Sequence, residues 1–135
     1  MDIQISKFKE IEEGYSTRHA IEEAKRCLNC KNPQCVKGCP IENNIPQFIH
    51  ALSKGNMGDA LEQINLKSNL PAICGRVCPH EKQCEGHCVL NKKGQPIRIG
   101  KLERFVADFD SSIGLIHENI KPKNRGKVAV IGSGP

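Results

Sequence analysis

Eight cysteines carry the chemistry this chain can do. They stand in two groups, Cys27-x2-Cys30-x4-Cys35-x3-Cys39 and Cys74-x3-Cys78-x5-Cys84-x3-Cys88. Pro40 follows Cys39 and Pro79 follows Cys78. A thiolate is a soft donor and binds zinc or iron–sulfur clusters. Four thiols within about a dozen residues, with proline straight after a ligand, is the spacing of iron–sulfur binding loops. Zinc sites usually pair two C-x2-C knuckles, and only one C-x2-C occurs here. A zinc-stabilised structural or interaction module without a redox role is the alternative reading. A disulfide framework fits less well, because the start MDIQISKFKEIEEG lacks the apolar stretch of an export signal. Eight thiols without export point to metal or redox chemistry in a reducing, cytoplasmic setting.

Spacing also suggests which thiols belong together. In bacterial two-cluster loops the last cysteine of a run crosses to the other cluster. By that rule Cys27, Cys30 and Cys35 hold one cluster and Cys39 crosses to the second. Cys88 crosses back to complete the first, and Cys78 and Cys84 join Cys39. One ligand of the second cluster stays open, and spacing alone assigns it to Cys74. Four residues span at most about 14 Å between Cα atoms, so clusters sharing the Cys35–Cys39 segment must be close neighbours. His80 and His87 flank cysteines but are read as non-ligands, since the thiols nearly suffice. His19, His50 and His117 read as surface or packing residues, and Lys37 and Arg76 as exposed.

The elements that must position these groups are helical by pattern. Ser16 and Thr17 are good caps for a helix over about 17–28 built on Ala20, Ile21, Ala24 and Leu28, with Cys27 in its last turn. Asn29 to Pro40 reads as a loop. Asn44 caps a helix with Pro46 in its first turn and Phe48, Ile49 and Leu52 on one face, stopping at Gly55. Ala60, Leu61 and Ile64 mark another helix over about 57–65, and a further one begins near Gly100 with Leu102, Phe105, Val106 and Phe109 inward. The predicted organisation is a leader over 1–15, loosely helical at most, an α-helical cluster domain over 16–110, a linker over 111–126, and a truncated start of a dinucleotide-binding domain over 127–135. In that tail VAVI reads as a buried strand, and Gly132 and Gly134 match the first two glycines of a phosphate-binding turn. The fold class expected is mostly α, with cysteine-rich loops and the first strand of a Rossmann-type domain.

Composition narrows the functions further. Of 135 residues 38% are apolar but only 4% aromatic, with no Trp and a single Tyr, Tyr15. So thin a core suits a domain held together by metal. The longest apolar runs are a few residues, which excludes a bilayer span. The net charge of +5 is mild and its lysines and arginines are scattered. A nucleic-acid surface would need a dense basic patch with aromatics to stack on. Cluster loading would lower the charge, by about 2 for a cluster on four thiolates and about 1 for one on three thiolates and a carboxylate already counted. No Ser/His/Asp arrangement or paired-carboxylate site stands out, so no catalytic residue is expected and the isolated chain should catalyse nothing.

The segments CLNCKNPQCVKGCPIENNIPQFI, LPAICGRVCPHEKQCEGHCV, PIRIGKLERFVAD and KVAVIGSGP occur in that order. Together they resemble the N-terminal two-cluster domain of the glutamate synthase small (beta) subunit family. Similar domains open dihydropyrimidine dehydrogenase and the NADPH-binding subunits of ferredoxin–NADP oxidoreductases and sulfide dehydrogenases. The resemblance covers about residues 15–135. It implies an α-helical domain with two 4Fe–4S clusters in an oxidoreductase whose remaining part binds FAD and NADPH. It implies single-electron relay between that FAD and a large subunit, another redox partner or a second flavin. It also implies the ligand set Cys27, Cys30, Cys35 and Cys88 for one cluster, and Cys39, Cys78 and Cys84 for the other. In the family a Glu or Gln in the segment matching IGKLE completes the second, which here is Glu103 and leaves Cys74 unligated.

Overall fold

Ser16 lies in extended backbone and its hydroxyl accepts a hydrogen bond from the His19 N–H at 3.3 Å, which starts the first helix, α1 (Thr17–Lys25). The computed structural model describes residues 10–114 and 126–132. Among them five more helices follow: α2 (Gln34–Lys37), α3 (Ile45–Ser53), α4 (Met57–Asn65), α5 (Pro71–Val77) and α6 (Ile99–Ile113). Single 3-10 turns occupy His80–Lys82 and Val89–Lys93.

Helix α3 begins as its sequence suggests, with Asn44 at the cap and Pro46 in the first turn. Asn56 caps α4 in both directions: its side-chain oxygen accepts from the Asp59 N–H at 3.2 Å, and its amide donates to the Asp59 carboxylate at 2.6 Å. The apolar stripes of α1, α3, α4 and α6 then meet in one core. Ala20 and Ala24, Phe48 and Leu52, Ala60 and Ile64, and Leu102 and Val106 are all buried there. Each large side chain so buried is worth about 1.5–3 kcal/mol. Helix α5 is not part of this core; it lies along α6.

Several elements differ from their sequence reading. Helix α1 ends at Lys25, so Cys27 lies beyond it. The last turn tightens, with Arg26 and Cys27 N–H groups bonding three residues back to Glu23 and Ala24 carbonyls at 3.1 Å. Asn29 then turns the chain in the left-handed region (φ 46°), and Leu28 stays 62% exposed instead of extending the apolar stripe. The predicted loop of 29–40 contains α2, started by Pro33, whose ring holds φ at −73°. Helix α6 runs three residues into the predicted linker, to Ile113. Residues 10–15 are not helical.

Mostly helical structure is what the pattern predicted, but the expected strand is not formed. Among the described residues none is in a strand, and Lys127–Ile131 has no regular structure. A strand exists only through pairing with a neighbour, and Val128, Val130 and Ile131 are 88, 89 and 98% exposed, with nothing packed on them. Gly132 does adopt a backbone that suits glycine (φ 105°), while Gly134 lies outside the described residues.

Candidate metal centres

The two cysteine groups interleave in space. Cys27 follows α1, Cys30 follows the left-handed turn at Asn29, Cys35 sits in α2, and Cys88 precedes the Val89–Lys93 turn. These four line one cavity of about 30 Å³. Cys39, just past α2, faces a second cavity of about 130 Å³ together with Cys74, Cys78, Cys84 and Glu103. Each cavity therefore takes thiols from both groups. Ile45, the first residue of α3, and Ile99, the first of α6, line both cavities and are each 2% exposed. They form an apolar wall shared by the two sites.

Burial sets the electrostatics. It raises the thiols of Cys27 and, to about 11, Cys35. Burial, with neighbouring Cys74 adding to it, pushes Cys78 to about 11; burial, with Glu85 adding, pushes Cys84 to about 12. The Glu103 carboxyl is raised to about 7 by burial as well. All eight thiols are free. Burial thus holds the Cys35, Cys78 and Cys84 thiols in their protonated form near neutral pH, and a bound cation would favour their ionisation. Thiolate-rich donors around a cavity fit a 4Fe–4S cluster, whose corners spread its ligands apart. Among the described residues no three His, Cys, Asp or Glu side chains are gathered as a single metal ion requires.

The second cavity has five candidate donors for four corners. Cys74 lines it alongside Glu103, and the Ser68 hydroxyl donates to its sulfur at 3.9 Å. His80 lines the same cavity, and its Nε2 is buried without a hydrogen-bond partner among the described residues. The His87 ring is engaged elsewhere, with Nδ1 2.6 Å from the Gln83 carbonyl oxygen. Lys37 is exposed, and Arg76 turns to α6, where it grips Asp108 through two bonds of 2.9 and 2.7 Å.

Sequence reasoning missed the residues that hold α6 in place. Arg98 occupies the cap position but makes no side-chain cap. Two distant carboxylates do that work: Glu85 accepts from the Gly100 N–H at 3.1 Å, and Glu23 from the Arg98 N–H at 2.9 Å. Negative charge at a helix N-terminus is favoured by the macrodipole. The available signal was a strong helix whose own sequence lacks a Ser, Thr, Asn or Asp cap. Arg104 was missed too. Its buried guanidinium donates to the Glu12 carbonyl at 2.8 Å and pairs with Glu10, pinning the end of the leader over α6.

Comparison with known proteins points to 4Fe–4S chemistry. Residues 4–114 match the model of the family described as dihydropyrimidine dehydrogenase domain II, 4Fe–4S cluster. The chain is 39% identical to the glutamate synthase (NADPH) small chain of Halomonas elongata, over 96% of this chain and 28% of that protein. It is 38% identical to the Escherichia coli K12 small chain over 100% of this chain and 29% of that one. It is 39% identical to the E. coli K12 NAD-dependent dihydropyrimidine dehydrogenase subunit PreT, over 93% and 31% of the two chains. The chain thus spans less than a third of the length of these relatives. With cysteine-lined cavities on one side and this match on the other, the chain belongs to the dihydropyrimidine dehydrogenase domain II family of 4Fe–4S cluster domains.

Proposed function

We propose that this chain is an electron-transfer module with two 4Fe–4S clusters, part of a glutamate synthase small-subunit-like oxidoreductase. Cys27, Cys30, Cys35 and Cys88 would hold the first cluster; Cys39, Cys78, Cys84 and Glu103 would hold the second. The observation that carries the reading is the interleaving of the two cysteine groups around two neighbouring cavities. When bound, such clusters pass one electron at a time, whereas a flavin takes a hydride from NADPH. In the parent oxidoreductase the electrons would run between an NADPH-reduced FAD and a large subunit or second flavin.

The chain's own residues prepare for this. Ile45 and Ile99 keep water out from between the sites. The Sγ atoms of Cys35, Cys78 and Cys84 keep their protons near neutral pH until a cation arrives. Residues 16–110 form the cluster domain in this reading, and 127–135 start an FAD-binding domain. There VAVI becomes a strand once a sheet is beside it, and Gly132 and Gly134 approach the pyrophosphate. The setting is cytoplasmic, and neither nucleic acid nor membrane is a partner. Among the described residues no helix is long and apolar enough to cross a membrane.

An iron and sulfide assay with an absorption spectrum on anaerobically purified protein tests the reading. About eight irons and eight sulfides per chain are expected. Two zinc ions with no visible absorption after anaerobic reconstitution would establish the zinc module instead.

A further inference from the structure

Resting on the cluster reading above, the geometry points to His80 as a hydrogen-bond donor to a sulfur of the second cluster, and so as the residue that sets that cluster's potential apart from the first. His80 is not among the proposed ligands, yet it lines the same cavity as Cys39, Cys78, Cys84 and Glu103. Its Nε2 is fully buried and has no partner among the described residues. Buried polar atoms are rarely left without a partner; with the ring proton on Nε2, the partner called for is an acceptor.

The ring is held there from two sides. The His80 N–H bonds to the Cys78 carbonyl at 2.9 Å, and the His80 carbonyl accepts from Gln83, Glu85 and Gly86 N–H groups at 3.0–3.2 Å. The imidazole itself sits on Gly100, where a β-carbon would fall 2.3–2.6 Å from Cε1, Nε2 and Nδ1. Only glycine at that point of α6 leaves room for the ring. The same residue borders an open polar crevice with Arg76, Arg98 and Lys101. His80 therefore stands between the second cavity and this crevice.

A cluster supplies what this cavity otherwise lacks: sulfide and thiolate sulfurs, acceptors with negative charge. A donor to those sulfurs stabilises the reduced, more negative state and raises the potential. His80 is a positioning and tuning residue in this role, not a ligand. The first cavity has no histidine on its lining.

The test uses the full chain, reconstituted anaerobically, as wild type, His80→Phe and His80→Gln. EPR-monitored redox titration reads each cluster separately. Both variants should keep the full iron and sulfide content. The second cluster's midpoint should move negative in His80→Phe, stay near wild type in His80→Gln, which keeps a donor, and the first cluster's should not move. An unchanged second midpoint in His80→Phe overturns the proposal. Loss of one iron in both variants overturns it too, and makes His80 a ligand. Should His80→Phe not fold, wild type labelled with 15N-histidine decides: the reduced second cluster should show weak histidine nitrogen coupling with an exchangeable proton, and its absence sinks the idea. Failure of wild type to assemble any iron and sulfide would instead count against the cluster reading itself.

Discussion

Gly75 of α5 lies directly on Arg104 of α6: a β-carbon on Gly75 would stand 2.6 Å from the Arg104 backbone nitrogen and 2.8 Å from its Cα. The neighbours of these two residues, Cys74 and Glu103, both line the second cavity. This contact is how the Cys74–Cys78 segment and Glu103 come to share one site. Gly75→Ala should push the helices apart, at about 1–3 kcal/mol for overpacking. Iron content should fall by about half, with the first cluster's EPR signal retained. Full iron in both sites would show that the site tolerates a wider helix spacing.

Glu103→Ala and Cys74→Ser separate the two candidates for the open ligand. Glu103→Ala should leave the first cluster intact and reduce the second to a three-iron or empty site. Cys74→Ser should keep both. A carboxylate is a harder donor than thiolate, so the iron it holds is the labile one. The reverse pattern, read by iron assay and EPR, would hand the position to Cys74.

Cluster loading should strengthen as pH rises. Burial lifts Cys35 and Cys78 to about 11 and Cys84 to about 12, so without metal these thiols are protonated at neutral pH and must lose their protons on loading. Each such proton adds about a factor of ten in affinity per pH unit until the pH passes the raised value. Glu103, raised to about 7, adds to that slope only below about 7. Iron uptake by metal-free protein at pH 6 and pH 8 measures it; equal uptake at both would contradict protonated thiols.

Glu85→Ala removes the acceptor for the Gly100 N–H and the Arg98 guanidinium. It should cost about 1–2 kcal/mol, the usual range for a lost helix cap. The midpoint of thermal unfolding should fall, and amide exchange should quicken in the first turn of α6. Glu85→Gln, which keeps an acceptor oxygen, should lose less. An unchanged exchange rate at Gly100 in Glu85→Ala would show that the cap contributes little.

The interval of each cysteine from the next, and the prolines after Cys39 and Cys78, are local facts of the chain. For that reason the metal chemistry and the helices built on Phe48, Ile64 and Leu102 were legible without a structure. Helix ends were less so: Leu28 matches the α1 period, yet α1 stops at Lys25, because a stripe says which face is apolar and not where the backbone turns away. The contacts between distant backbones were not legible. That His80 rests on Gly100, that Gly75 lies on Arg104, and that Glu23 and Glu85 cap a helix that begins at Ile99 all depend on which backbones touch. Such contacts join residues far apart in the chain, and no periodicity or spacing records them. Only the packing of α5 and α1 around α6 decided them.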